Sequence, residues 1–194
     1  MKMYNIMIVG VGGQGTLLAS RILGSVMMAE GLDVKVSEVH GMSQRGGSVV
    51  TYVRAGEKVY SPIITEGEAD LILAFEQLEA ARWLRYLKKD GKIVLNTQKL
   101  MPMPVITGDM QYPEGVIEKL TATDAKIISL DALSLAEQAG SSKAVNVVLI
   151  GVVAKHMNID KDKWLKAIEQ TVPERFLELN RKAFELGYQY DTAE

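Results

Sequence analysis

Gly10, Gly12, Gly13 and Gly15 fall within the stretch GVGGQG, between the apolar run YNIMIV and the helical pattern TLLASRIL. Glycines at a strand-to-helix turn permit sharp backbone conformations and remove the side chains that would hold another group away. N–H groups at the start of a helix lack intrahelical partners and carry partial positive charge, so an anion fits against them. The G-x-G-x-x-G spacing, after a strand and before a helix, is that of a phosphate-binding turn, with Gln14 as a further polar group inside it. Two uses stay open on these residues. A nucleotide-type phosphate sits against the N–H groups of Gly12–Gly15, or the glycines serve only close strand–helix packing.

A second glycine-rich stretch, GMSQRGG, occupies residues 41–47. Gly41, Gly46 and Gly47 allow left-handed backbone, while Ser43, Gln44 and Arg45 bring donors into one short loop. If the strand before it runs parallel to the first strand, both loops emerge over the same carboxyl edge of the sheet. Together they would suit an extended phosphorylated ligand; the alternative is a hairpin with solvated polar tips. Glu38, near the end of the second strand, either meets a ribose hydroxyl or supports the loop. His40 adjoins the same loop and is a functional candidate. Asn146 reads as a core amide bridging helices, His156 as a favourable partner for a helix C-terminus, and Trp83 and Trp164 as packing or partner-contact residues.

The elements that must position these residues follow from periodicity. Residues 4–11 form a strand buried on both faces, and the helix after the glycines ends near Gly31. DVKVSEVH is a second strand. The loop then runs directly into SVVTYVRAG, so the third strand returns as a hairpin, followed by a short strand near Val59–Tyr60. ADLILAFE is a strand, LEAARWLRYLKK a helix and GKIVLNT a strand. The Pro-containing stretch MPMPVITGDMQYPEG reads as a mobile surface connection. A helix near 114–124, the strand KIISLD, and helices near 132–139 and 142–157 complete the pattern. A helical tail runs from Lys161 to Gly187, broken at Pro173. The expected architecture is α/β and Rossmann-like: a mostly parallel central sheet with flanking helices, a β-hairpin after strand 2 and a C-terminal helical tail. Residues 1–160 form the domain, and 161–194 a helical extension of it.

The chain has 194 residues, a formal net charge of −2 and no cysteine. The charge balance, with no basic stripe, gives no nucleic-acid footprint. The longest apolar run, VNVVLIGVVA, is too short to span a bilayer, and the N-terminus enters a strand with no cleavage site, so a cytoplasmic protein with no membrane partner is expected. The missing cysteines exclude thiol nucleophiles, cysteine-ligated zinc and iron–sulfur clusters held by this chain through cysteine.

The combination of GVGGQGTLLASRIL, VSEVHGMSQRGGSVVTYVR and YSPII resembles the gamma-type subunits of 2-oxoacid:ferredoxin oxidoreductases, above all the small subunits of the indolepyruvate-specific enzymes. The likeness runs nearly the full length, and the SQRGGSV block is more specific than the glycine turn. The resemblance implies oxidative decarboxylation of indolepyruvate or another aryl pyruvate, with electrons passing to ferredoxin and the acyl group to coenzyme A. It implies a large alpha subunit carrying thiamine diphosphate, magnesium and 4Fe-4S clusters, in a heterodimer or a dimer of heterodimers. This chain would bind none of those cofactors and no metal, would be inactive alone, and would supply no catalytic residue. Its expected share is the binding of coenzyme A phosphates by Gly10, Gly12, Gly13, Gln14, Gly15, Ser43, Gln44, Arg45, Gly46 and Gly47.

Other classes compete. A free-standing nicotinamide oxidoreductase would need a catalytic Tyr/Lys or His/Asp constellation after the turn, and none is evident. An adenylating enzyme of the ubiquitin-activating type shares the glycine spacing but usually carries a cysteine zinc cluster. A structural subunit whose loops bind nothing remains open.

Overall fold

Alternation of side chains along β1 (Tyr4–Val11) sets the layers of the molecule. Ile6 and Ile8 point into one apolar core, Met7 and Val9 into the other, and all four are almost completely buried. The computed structural model describes residues 3–41 and 46–191. Its six strands are β1, β2 (Asp33–His40), β3 (Ser48–Gly56), β4 (Ala69–Ala74), β5 (Leu87–Asn96) and β6 (Lys126–Leu130), in one sheet of order β2-β3-β1-β4-β5-β6. β1, β4, β5 and β6 pair in parallel. β3 is antiparallel to both its neighbours, Val11 facing Ser48 on one side and His40 facing Val49 on the other.

The hairpin after strand 2 is therefore present, and its returning strand enters the sheet between β1 and β2. β2 keeps the direction of β1 without touching it. The short strand expected near Val59–Tyr60 is absent; instead the Val59 N–H donates to Asp33 Oδ2 at 2.9 Å, closing the chain onto the start of β2.

One face of the sheet carries α1 (Thr16–Ala29), α5 (Ala132–Ala139), α6 (Val145–Lys155), α7 (Lys161–Thr171) and α8 (Leu177–Tyr188). The other carries α2 (Gln77–Trp83) and α4 (Val116–Thr121). Apart from Asn146, α6 is apolar from Val145 to Ala154 and buried throughout that span, because the sheet covers one side and α8 the other. The two helices meet backbone to backbone. A Cβ on Gly151 would lie 2.2 Å from the Phe184 carbonyl oxygen, and one on Gly187 would lie 1.9 Å from that of Val148. Pro173 separates α7 from α8, as the missing N–H requires.

The helix expected over 78–89 is shorter. α2 gives way to a 3-10 turn at Leu84–Tyr86, and β5 starts at Leu87, paired with Ala69 before a register shift. The Pro-containing connection carries a short helix, α3 (Met103–Ile106), with Met103, Ile106 and Met110 exposed. Among the described residues no helix is long and apolar enough to cross a membrane.

Candidate functional site

The turn between β1 and α1 is held from three sides. Its own Gln14 folds back: Oε1 accepts from the Val11 N–H at 2.7 Å, and Nε2 donates to the Phe75 carbonyl at 3.1 Å, at the end of β4. Gly10 makes this possible, since a Cβ there would lie 2.8 Å from Gln14 Oε1 and 3.0 Å from Phe75 Cβ. Gln14 is thus a strut of the turn, and Gly10 a packing glycine. On the second side, Asn146 Nδ2 of α6 donates to the Gly15 carbonyl at 3.3 Å. A Cβ on Gly15 would lie 2.6 Å from that nitrogen, so Gly15 gives way to a buried amide. Asn146 is the helix-bridging amide the sequence suggested.

The third side is the second glycine loop. The Gly12 N–H donates to the Gly47 carbonyl at 2.9 Å, and the Gly46 N–H to the Gly12 carbonyl at 3.4 Å. Backbone hydrogen bonds thus join the two glycine loops to each other. Gly46 lies at φ +76°, in the region glycine favours. Ser43, Gln44 and Arg45, named above as donors, lie outside the described residues.

The remaining N–H groups of the turn decide what it can hold. That of Gly12 is taken by Gly47, and that of Gln14 by the Val11 carbonyl at 3.2 Å. Among the described residues, those of Gly13, Gly15, Thr16 and Leu17 find no acceptor; the first helical bonds run from Leu18 and Ala19 to the Gly15 carbonyl. Gly13, at φ +103°, has nothing within 4 Å of where its Cβ would be. The start of the 14-residue α1 therefore faces open space with donors unmatched.

Two clefts flank this point. The first, of about 440 Å³, is lined by Gly12, Gly13, Gly15, Thr16, Leu17, Glu38, His40 and Val49. Glu38 and His40 reach it because β2 ends at the same edge as β1. Glu38 Oε2 accepts from Thr51 Oγ1 at 3.2 Å on β3, which steadies the carboxylate beside the turn. The second, of about 460 Å³, lies across Gly13 and Gly15, with Gln14, Gln98, Ser142 and Lys143 among its walls. Lys143 is exposed, and among the described residues its ammonium has no carboxylate partner. Sequence reasoning missed Lys143 and Gln98. For Lys143 a signal existed, the SSK before an apolar helical run, where the Ser141 hydroxyl oxygen accepts from the Lys143 N–H at 3.2 Å.

A buried carboxylate pair, also missed, stands behind the turn. Glu76 and Glu79 flank the start of α2. Glu76 accepts from the Glu79 N–H at 3.0 Å, from the Leu100 N–H at 3.3 Å and from the Tyr112 hydroxyl. Burial, together with the Glu76 carboxylate, holds the Tyr112 phenol well above its ordinary pKa. His156 lies at the opposite end of the sheet, where burial, helped by Lys92 and Lys155, pushes its imidazole below the usual value. Trp83 and Trp164 are packing residues, Trp164 fully buried against the helical layer. Among the described residues no three acidic or histidine side chains gather where they could hold a metal ion.

Comparison with known proteins agrees with this architecture. The chain is 43% identical over 192 residues to indolepyruvate oxidoreductase subunit IorB of Thermococcus kodakarensis, covering 96% of this chain and 95% of that protein. It is 41% identical to the IorB subunit of Archaeoglobus fulgidus, over 95% and 93%. In fold it is similar to pyruvate oxidoreductase subunit PORC of Thermotoga maritima, with a TM-score of 0.75, 20% identity and 97% of each chain covered. It is also similar to the 2-oxoglutarate:ferredoxin oxidoreductase of Magnetococcus marinus, solved with 2-oxoglutarate, coenzyme A and succinyl-CoA bound. There the TM-score is 0.72 and the identity 19%, over 97% of this chain and 31% of that one. The model of the pyruvate ferredoxin/flavodoxin oxidoreductase family matches residues 5–190, and the chain belongs to that family.

Proposed function

We propose that this chain, as a subunit of a 2-oxoacid:ferredoxin oxidoreductase, holds the phosphates of coenzyme A at the β1–α1 turn while a larger partner carries the redox cofactors. The substrate is indolepyruvate or a related aryl pyruvate, which the names of the 41–43% identical relatives support. The observation that carries the reading is the set of unmatched donors at Gly13, Gly15, Thr16 and Leu17, opening on a cleft where Gly13 offers no side chain.

A phosphate oxygen there would gain hydrogen bonds from backbone groups that need no reorganisation to receive it. Lys143 supplies a neutralising charge from the second cleft, and Glu38 an acceptor for sugar hydroxyls from the first. Ser43, Gln44 and Arg45 stand in the chain immediately before Gly46, which is hydrogen-bonded to the turn. Iron–sulfur clusters do not fit this chain, which has no cysteine to ligate them. Thiamine diphosphate on the partner would supply the decarboxylation and its iron–sulfur clusters the electron transfer; this chain's residues bind and orient the acyl acceptor.

The test is coenzyme A affinity and turnover in the complex reconstituted with its large subunit. Gly13→Val fills the open position, and Lys143→Ala removes the charge. If both variants assemble normally and bind coenzyme A as the unaltered complex does, the turn is structural and the reading is wrong.

A further inference from the structure

We infer that Glu79, through Ser48, is a positioning residue for the β1–α1 turn. Glu79 is only 4% exposed, and its carboxylate faces the first residue of β3. Oε2 accepts from the Ser48 hydroxyl at 2.5 Å, and Oε1 from Arg82 Nε at 3.1 Å. Ser48 follows Gly47 directly, and Gly47 is the residue whose carbonyl takes the Gly12 N–H. A line of bonded groups thus runs from α2 on one face of the sheet to the turn that heads α1 on the other.

The energetics explain why this arrangement specifies a position. A carboxylate removed from water is strongly disfavoured unless its oxygens are matched. Here the matching groups are the Ser48 hydroxyl, the Arg82 guanidinium and the dipole at the start of α2, where Glu79 sits in the first turn. Glu79 itself cannot drift, because its N–H is bonded to Glu76, whose other oxygen is bonded to Leu100 and Tyr112. Ser48 already faces Val11 in the β1–β3 ladder; the fixed carboxylate adds a side-chain restraint on it, and with it on the direction of the Gly47 carbonyl. Gly46 and Gly47 have no side chains to fix themselves by packing, so a neighbour must do it. With the Gly12 N–H tied to Gly47, the Gly13 and Gly15 N–H groups, which have no acceptor among the described residues, belong to residues that line both clefts. Without the tie, Gly12 can rotate and the donors lose their common aim.

In its functional consequence this inference rests on the reading of the turn as the coenzyme A site. Ser48 is exposed, so Ser48→Ala removes the hydroxyl without opening the core, and Ser48→Thr restores it. The primary measurement is amide hydrogen exchange at Gly12 by NMR on the full chain. Ser48→Ala should exchange at least tenfold faster there, with core amides of β1 unchanged, and Ser48→Thr should return to within about twofold of the unaltered protein. Gly12 exchange in Ser48→Ala within twofold of the unaltered protein overturns the inference, as does acceleration that Ser48→Thr leaves in place. In the reconstituted complex, Ser48→Ala should raise KM for coenzyme A about tenfold with kcat retained and KM for the 2-oxoacid unmoved. Faster Gly12 exchange with unaltered coenzyme A binding would leave the positioning role standing and remove coenzyme A from the turn.

Discussion

Asn146 occupies the space that a side chain on Gly15 would need: a Cβ there would lie 2.6 Å from the Asn146 Nδ2, which donates to the Gly15 carbonyl. The start of α1 is thereby fastened to the most deeply buried helix of the protein. Gly15 also lies at φ +83°. Gly15→Ala should therefore carry two penalties, about 1–2 kcal/mol for left-handed backbone and about 1–3 kcal/mol for overpacking. Gly13→Ala, with open space around it, carries only the first. Urea denaturation of both variants checks the order; equal losses would mean that Asn146 simply moves aside.

Charge should be read asymmetrically across the turn. Lys143→Glu should weaken coenzyme A binding to the reconstituted complex by tenfold or more. Glu38→Gln, on the other side, keeps an acceptor for hydroxyls and should change affinity by less than about threefold. Isothermal titration in low and high salt separates them, since only the Lys143 effect should shrink as salt screens it.

Arg45 offers a separate test of the second loop. If it pairs directly with a phosphate, Arg45→Ala should cost about 1.5–3 kcal/mol of coenzyme A affinity. Arg45→Lys should recover only part of that, because a point charge does not replace a two-pronged donor. Full recovery by lysine would show that charge alone matters at this position.

His156 gives the fold a dependence on mild acid. Burial holds its folded-state pKa below 6.5, so the unfolded chain takes up the proton first as pH falls. The stability associated with the neutral ring is present above 6.5 and is lost as pH drops through the lower, folded value. His156→Gln should flatten this decline as pH falls below about 6.5, measured by urea midpoints on either side of that value.

The strands and the first turn were legible because they depend on local pattern. YNIMIVGV has the apolar density expected of a strand buried on both faces, and four glycines before a helical repeat mark the turn. The insertion of β3 between β1 and β2 was not legible, since periodicity shows that a strand exists and is silent about its neighbours. The false strand at Val59–Tyr60 had suitable residue types, and Asp33, distant in sequence, decided the matter by taking the Val59 N–H. At the site, glycine spacing signalled a turn but could not separate Gly13, which faces open space, from Gly10 and Gly15, where a side chain would meet protein. Glu79 gave no sign, because a carboxylate in a helix's first turn is usually a solvated one, and burial comes only from packing against β3.

The glycine crossing of α6 and α8 bears on how the protein is made. Gly151→Ala would force the helices apart and should cost about 3 kcal/mol. Synthesis imposes a similar separation on every copy. When α6 leaves the ribosome it is apolar along most of its length, and the sheet can cover only one of its sides. Its outer face waits for Phe184 and Gly187, which are added after the whole of α7. Until then the nascent chain exposes a sticky helix of the kind that aggregates or recruits chaperones. The final helix thus acts as the latch of biosynthesis, and a ribosome stalled shortly before it would hold a chain whose first 160 residues are complete and whose core is still open.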